Sequence, residues 1–375
     1  MNLTSMSRRN FLAGSAAAAL AIGVAGCKKE EPAPAPAPEP APAPEGETTP
    51  VEVPETKKVL WAQGPSGHAL YTIAKKLDYF GDYGLDVESV MVESGAGTEA
   101  LLANKVDIVS KNGTNKPLVA IGSGTDITIF GGHMLTGCMP LIAKAGTVWN
   151  GIEDLVGKKI ANPASEFSIS GAIARSGHDP LKECEWLNIS GTSNRVAAVV
   201  NGECDYALVG TGDNYAVQHN DKLTVLCYAS DITPMYSCCR MYTRTQWIKD
   251  NPITVKLLLK ALIRAQMYLE NNKEEVTKWM AEELNTDYDY VAAYMLNPHY
   301  WVNVDPIKHR VEDAWNVLMS IGVLPEDAKN INLDDHINID LYEQALNELV
   351  ADEKIYAEYK DNFDAAVKLF KEQNK

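Results

Sequence analysis

Several catalytic and metal-binding signatures are missing from this sequence. There is no CxxC pair, no haem-attachment CxxCH, no HExxH, no Gly-rich nucleotide loop and no Ser-His-Asp order. Their absence argues against a zinc or thioredoxin-like site, a haem or iron–sulfur carrier, and the familiar hydrolase classes. Positive charge is scarce too: 34 Lys and Arg stand against 50 Asp and Glu, a net charge of −16. Nucleic-acid and polybasic membrane binding both draw on clustered Lys and Arg, so the balance argues against both. Long apolar runs are also lacking. Ile253 to Leu269 is interrupted by Lys256, Lys260 and Arg264, and Ala13 to Gly26 falls short of the roughly 20 residues a span needs.

The first 56 residues read as an address and a spacer. Ser7-Arg8-Arg9-Asn10-Phe11-Leu12 before a short apolar run reads as a twin-arginine export signal. The run closes at Val24-Ala25-Gly26-Cys27, which reads as a lipoprotein cleavage site with Cys27 carrying the lipid. Residues 1–26 are therefore expected to be a removed signal peptide, and the protein to work outside the cytoplasm, lipid-anchored to the membrane in the periplasm or at the cell surface. Residues 27–56 hold an alternating Pro-Ala tract, which favours extended polyproline and builds no core. Removing residues 1–26 also removes Arg8 and Arg9, so the remaining chain is more acidic still.

Six cysteines remain after Cys27: Cys138, Cys184, Cys204, Cys227, Cys238 and Cys239. They can be disulfides of an oxidising compartment or buried thiols, and the spacing enforces neither. On a strand, adjacent Cys238 and Cys239 would face opposite ways, which argues against their pairing or ligating a metal together. No cofactor is expected.

From Lys57 onward the pattern alternates. Strands at 59–62, 85–92, 106–109 and 127–130 are separated by helices at 69–80, 98–104 and 117–121. The alternation then repeats, with strands at 141–143, 159–161, 186–189, 205–209 and 223–228. Such alternation predicts parallel sheets with right-handed crossovers. After Arg240 the character changes to helices, at about 251–271, 273–284, 288–295, 306–319, 341–350 and 362–373, the first opened by Asn251-Pro252.

Three stretches resemble the extracytoplasmic solute-binding proteins of the nitrate/sulfonate/taurine and thiamine-precursor type. They are Ile73-Ala74-Lys75-Lys76-Leu77-Asp78-Tyr79-Phe80 with Gly84-Leu85-Asp86-Val87, then Ile152 to Ile160, then Ala197 to Ala207. The resemblance spans about Val59 to Leu284. It implies a type II periplasmic-binding-protein fold, in which two α/β lobes are joined by two crossovers and followed by C-terminal helices. By that resemblance, residues 57–140 are the first part of lobe 1, 141–230 are lobe 2, and 231–375 return to lobe 1 and carry the C-terminal helices. The crossovers fall near Gly131–Ala143 and Asp231–Met241. The implied function is a substrate-binding lipoprotein that is not an enzyme. It is expected to act as a monomer, capturing a small organic solute for the membrane subunits of an ABC importer.

In open α/β sheets, ligands bind beyond the carboxyl ends of the strands, where helix N-termini offer free N–H groups. The loops there supply the candidate ligand-binding residues: Ser66, Gly67 and His68; Ser94, Gly95 and Thr98; Asn112 and Thr114; Ser165, Glu166, Phe167 and Ser168; Thr211 and Asp213. His133 and Tyr236, near the crossovers, complete the set. These loops hold no Arg fork of the kind that clamps sulfonates or carboxylates; Arg175 and Arg195 are the nearest candidates. That departure tilts the expected ligand from a simple sulfonate toward a neutral or zwitterionic molecule such as a nitrogen heterocycle. The competing readings are a thiamine-precursor-synthase-like or redox enzyme on the same fold, and a ligand sensor presented to a membrane receptor.

Overall fold

The computed structural model describes residues 52–64, 66–92 and 95–375. The expected signal peptide, Cys27, nearly all of the spacer, and Ser94 lie outside the described residues. Residues 52–56, expected to end the spacer, belong instead to the folded body. The Glu55 carboxylate accepts from the backbone N–H of Ile253 and Thr254, at 3.0 and 2.8 Å, and so caps the helix Pro252–Asn271. Glu52 pairs with Lys256 at 2.7 Å. A carboxylate on the free donors of a helix start is a favourable contact, which explains why the chain is held here.

Eleven strands are found among the described residues, in two sheets. They are β1 (Lys58–Gln63), β2 (Asp86–Met91), β3 (Ile108–Val109), β4 (Ile127–Thr136), β5 (Pro140–Lys144), β6 (Lys159–Ile160), β7 (Glu185–Trp186), β8 (Tyr206–Leu208), β9 (Leu223–Tyr228), β10 (Cys239–Arg244) and β11 (Trp301–Val302). The first sheet has the order β11-β4-β10-β3-β1-β2 and the second β7-β6-β8-β5-β9. The fold is α/β with two lobes, one on each sheet, and the chain passes between them twice, after β4 and before β10.

The sheets are mixed rather than parallel throughout. Pairs β1–β2, β1–β3, β6–β7 and β6–β8 are parallel. Strand β10 runs antiparallel to β3 and β4, and β5 antiparallel to β8 and β9. The antiparallel members are those that enter or leave a lobe at a crossover, so they run against the β–α–β units beside them. The first crossover is also tighter than expected, because β4 continues to Thr136 and leaves only Gly137 to Met139 before β5.

The helix expected over 69–80 is broken. Ala69–Lys76 stops, Asp78 takes a left-handed φ of 55°, and a short helix Tyr79–Asp82 follows. Aspartate tolerates that conformation better than most residues. One apolar cluster holds residues of both lobes, including Trp61, Ile129, Leu141, Ile160 and Phe167. A smaller one around Ile142, Val199 and Ala207 belongs to the second sheet. The C-terminal helices touch both lobes: Tyr288–Met295 packs on Asn214–Gln218, and Lys308–Ser320 on Phe167–Arg175. No helix among the described residues is long and apolar enough to cross a membrane. The six cysteines of the described region are free thiols.

Candidate functional site

The end of β1 carries a loop that meets the Thr211–Asp213 turn of the other lobe. The approach is close enough that a Cβ on Gly212 would lie 3.1 Å from the Ser66 Cβ and 3.2 Å from the Tyr290 hydroxyl. Beside this contact is a small, open hollow of about 90 Å³, lined by Gln63, Ser66, Gly95, Lys111 and Asn112 among others.

Lys111 is the central group, and it was not among the candidates from sequence. Its ammonium donates to the Ser66 hydroxyl at 2.5 Å and to the Gly67 carbonyl. Burial pushes its pKa down to about 8, and the groups that resist the shift are the thiols of Cys239, Cys238 and Cys138. No carboxylate pairs with it among the described residues. A partly buried cation with no carboxylate partner is suited to meet an anion.

The remaining lobe 1 candidates divide into held and unpartnered groups. Thr98 and Asn112 are held, since both bond the Tyr242 hydroxyl, at 2.9 and 3.0 Å. Thr114 bonds Ser237 at 3.1 Å. Gly95 has a φ of +92° and nothing near its Cβ position, so it is an open edge of the hollow. His68 caps the first helix by accepting from the Tyr71 N–H, which leaves its Nε2 as the protonated nitrogen. The Nε2 of His68, both ring nitrogens of His133 and the Gln63 amide are buried without partners. Burial pushes both imidazoles well below their ordinary value, with Lys111 adding to the effect on each. Both are therefore neutral and able to donate or accept a hydrogen bond.

In lobe 2 the candidates lie on two separate turns. Ser168 donates to Glu166 at 3.0 Å, and desolvation raises the Glu166 carboxyl. Glu166 lies near enough to Tyr236 and Cys238 to act on both electrostatically, so it reaches the crossover side of the cleft. Ser165 offers only its backbone carbonyl, to the Phe167 N–H at 2.9 Å, and Phe167 is core. Thr211 is buried with an unpartnered hydroxyl, as is the Oδ1 of Asn214. The Asp213 carboxyl is raised by desolvation and faces Thr192 and Arg195, so it turns into its own lobe. Tyr236 both donates to the Gly137 carbonyl, at 3.0 Å, and accepts from its N–H, at 3.1 Å. It therefore ties the two crossovers together.

Neither arginine considered from sequence reaches the hollow. Arg175 bonds Thr233 at 2.8 Å on the outer face. Arg195 bonds the carbonyls of Ile189 and Leu208, at 2.9 and 3.3 Å. Gln63, Lys111 and Tyr242 were missed. Lys111 directly precedes the Asn112-Gly113-Thr114 turn, and a lone lysine after a buried strand is the signal that could have found it. Among the described residues no cluster of His, Cys, Asp and Glu could hold a metal ion.

Comparison with known proteins agrees with this fold. No curated protein matches the sequence. Among solved structures, the alkanesulfonate-binding protein of Xanthomonas axonopodis pv. citri, bound to MOPS, superposes with a TM-score of 0.62 at 17% identity, over 76% of this chain and 98% of that one. The periplasmic nitrate-binding protein of Synechocystis PCC 6803 gives 0.67 at 18% identity, over 81% and 92%. A Candida albicans gene product, described as having the generic periplasmic-binding-protein fold, gives 0.58 at 17% identity, over 76% and 96%. At such identities the likeness shows the fold. The sequence profile described as NMT1/THI5 like matches residues 66–276, more than half of the chain. The chain thus belongs to the NMT1/THI5-like family and has the periplasmic-binding-protein fold.

Proposed function

We propose that this protein is the solute-binding component of an ABC importer, working outside the cytoplasm and capturing a small organic anion in the cleft between its lobes. The observation that carries the reading is the partly buried Lys111 ammonium. It sits at the hollow with no carboxylate partner among the described residues, ringed by the Ser66 hydroxyl and the unpartnered Gln63 amide. This supplies the cation that the loops lacked as an arginine, and it turns the expected ligand from a neutral heterocycle to an anion. His68 and His133 would add neutral hydrogen-bonding groups, and Thr211 would add one from the opposite lobe.

In this reading residues 57–140 and the return after 231 form lobe 1, and 141–230 form lobe 2. The lobes close on the ligand by a hinge at Gly137–Met139 and Tyr236–Cys238. Cys27 carries the lipid after twin-arginine export, and the Pro-Ala spacer lets a monomer reach the membrane subunits. Support for the transport role is the shared fold with an alkanesulfonate-binding and a nitrate-binding protein.

The test is a thermal-shift panel on the purified protein with alkanesulfonates, nitrate and sulfate against neutral pyrimidines and amino acids. A ligand at 100 times its dissociation constant adds about 2.7 kcal/mol, a shift of several degrees. An anion should produce that shift in the wild type. A shift with neutral compounds alone overturns the anion reading, and no shift from any member overturns the binding reading.

A further inference from the structure

Cys238 and Cys239 are both buried, and their sulfur atoms lie 3.6 Å apart. Adjacent residues of a regular strand point to opposite faces, so such a pair should not meet. The cause is local. Strand β10 begins only at Cys239, and Met235 and Ser237 just before it hold left-handed φ values of 52° and 59°. That turn folds Cys238 back over its neighbour. Left-handed backbone at non-glycine residues costs about 1–2 kcal/mol each, and such strain gathers at functional positions.

The surroundings favour sulfur chemistry. The Cys238 thiol donates to Cys239, burial opposes the thiolate, and the Gly113 N–H with the positive charge of Lys111 and Arg240 favours it; the net effect draws the Cys239 thiol below its ordinary value. On its other side Cys238 rests against the first crossover, where a Cβ on Gly137 would lie 2.7 Å from its sulfur. The pair therefore stands where the two connections between the lobes touch, and the capture of an anion makes no use of its thiols.

We propose that Cys238 and Cys239 form a reversible dithiol–disulfide couple at the hinge, oxidised by small-molecule disulfides. The Cys239 thiolate attacks one sulfur of a disulfide such as oxidised glutathione, forming a mixed disulfide and releasing one glutathione thiolate. Cys238 then loses its proton and attacks the Cys239 sulfur, closing the internal bond and expelling the second thiolate. Two electrons pass from the protein dithiol to the small disulfide, and two glutathione thiols leave. Adjacent Cα atoms are about 3.8 Å apart, below the roughly 4.4–6.8 Å that unstrained disulfides span, so this bond is easily reduced and acts as a switch rather than a staple. Its closure removes both ionisable sulfurs from beside Lys111 and stiffens the second crossover.

The test needs no ligand. The intact protein is equilibrated with oxidised glutathione or the smaller cystamine, denatured with N-ethylmaleimide, and digested with chymotrypsin. The peptide Ser237–Tyr242 then holds these two cysteines and no other. The expected peptide has lost two hydrogens and carries no maleimide, and it takes up two maleimides if dithiothreitol is given first. Cys138→Ser should leave this result unchanged, whereas Cys239→Ser should leave Cys238 bearing one maleimide or one glutathione. Two maleimides on the wild-type peptide after both oxidants overturn the proposal, as does a cross-link of that peptide to Cys138.

Discussion

The imidazole rings of His68 and His133 stack face to face, with centroids 3.6 Å apart and 22° between their planes. One comes from the cap of the first helix and the other from the middle of β4, and both are fully buried. Burial, with Lys111 and Arg240 beside the pair, keeps both rings neutral in the folded protein. The unfolded chain takes up these protons below the ordinary value of 6.5. Their contribution to stability is thus full above that pH and is lost as pH falls through it, by about 1.4 kcal/mol per pH unit for each ring. Asp305 works the other way. Burial raises its carboxyl from 3.8 to about 6, so the folded form gains a proton first and recovers part of the loss below pH 6. Urea denaturation at pH 7, 6 and 5 should show falling stability. His133→Gln should lower the slope between pH 6 and 5 by about 1.4 kcal/mol per unit, and an unchanged slope would mean that the pair already binds protons when folded.

Lys111 should trade stability for binding. Its ammonium is partly buried against a hydroxyl, a carbonyl and thiols, without a carboxylate partner. Lys111→Met removes a desolvated charge while keeping the aliphatic stem, so the ligand-free protein should be about 1–2 kcal/mol more stable by urea titration. The same variant should lose the thermal shift caused by any anion. Because the amine titrates at about 8 in the ligand-free protein, wild-type anion affinity should be greatest below that pH and decline above it. Affinity that does not vary between pH 7 and 9.5 would remove Lys111 from the site.

Lobe closure can be tested at Gly212. A Cβ there would stand 3.1 Å from Ser66 and 3.2 Å from the Tyr290 hydroxyl, across the interface between the lobes. Gly212→Leu should hold the lobes apart. Anion affinity should fall at least about tenfold, equivalent to 1.4 kcal/mol, and small-angle scattering should show a larger radius of gyration. Full affinity with unchanged dimensions would show that the ligand enters without closure at this contact.

The fold was legible where local pattern and global structure agree. The Gly84-Leu85-Asp86-Val87 turn and strand, the Val199 to Tyr206 passage into β8, and the helix after Asn251-Pro252 were all readable because buried faces and turn residues recur at fixed spacing. Strand β10 was not foreseen, since its residues were expected to be a crossover leading into helices, and strand direction was not legible either, since β5 has the same apolar pattern whether it lies parallel or antiparallel to β8. Nor was the meeting of Cys238 with Cys239, which depends on a left-handed turn at Ser237 rather than on any periodicity. The candidate site was half legible. The small polar loops marked the strand ends, but a lone lysine among them carries no motif, and only burial reveals that Lys111 lacks a counter-charge.

A clasp between the two sheets was not legible in the sequence. The His299 ring stacks on Tyr228 with centroids 4.3 Å apart, and its Nδ1 lies 2.9 Å from the Ser230 hydroxyl and 3.7 Å from the Asp231 carboxylate. The His299 carbonyl accepts from Thr136 at the end of β4, and Asn297 donates to the Tyr228 hydroxyl at 3.2 Å. These contacts tie the segment before β11, in the lobe 1 sheet, to the end of β9 in the lobe 2 sheet, so they are made fully only when the lobes are together. A contact present only in the closed form shifts the open–closed balance by its whole free energy, and about 1 kcal/mol changes apparent affinity roughly fivefold. His299→Ala should therefore weaken anion binding about three- to tenfold, chiefly through faster release in stopped-flow measurements, because closure follows encounter. The ligand-free protein should lose only about 1 kcal/mol of stability. If instead stability falls and the release rate does not change, the clasp persists in the open form and closure must pivot around it.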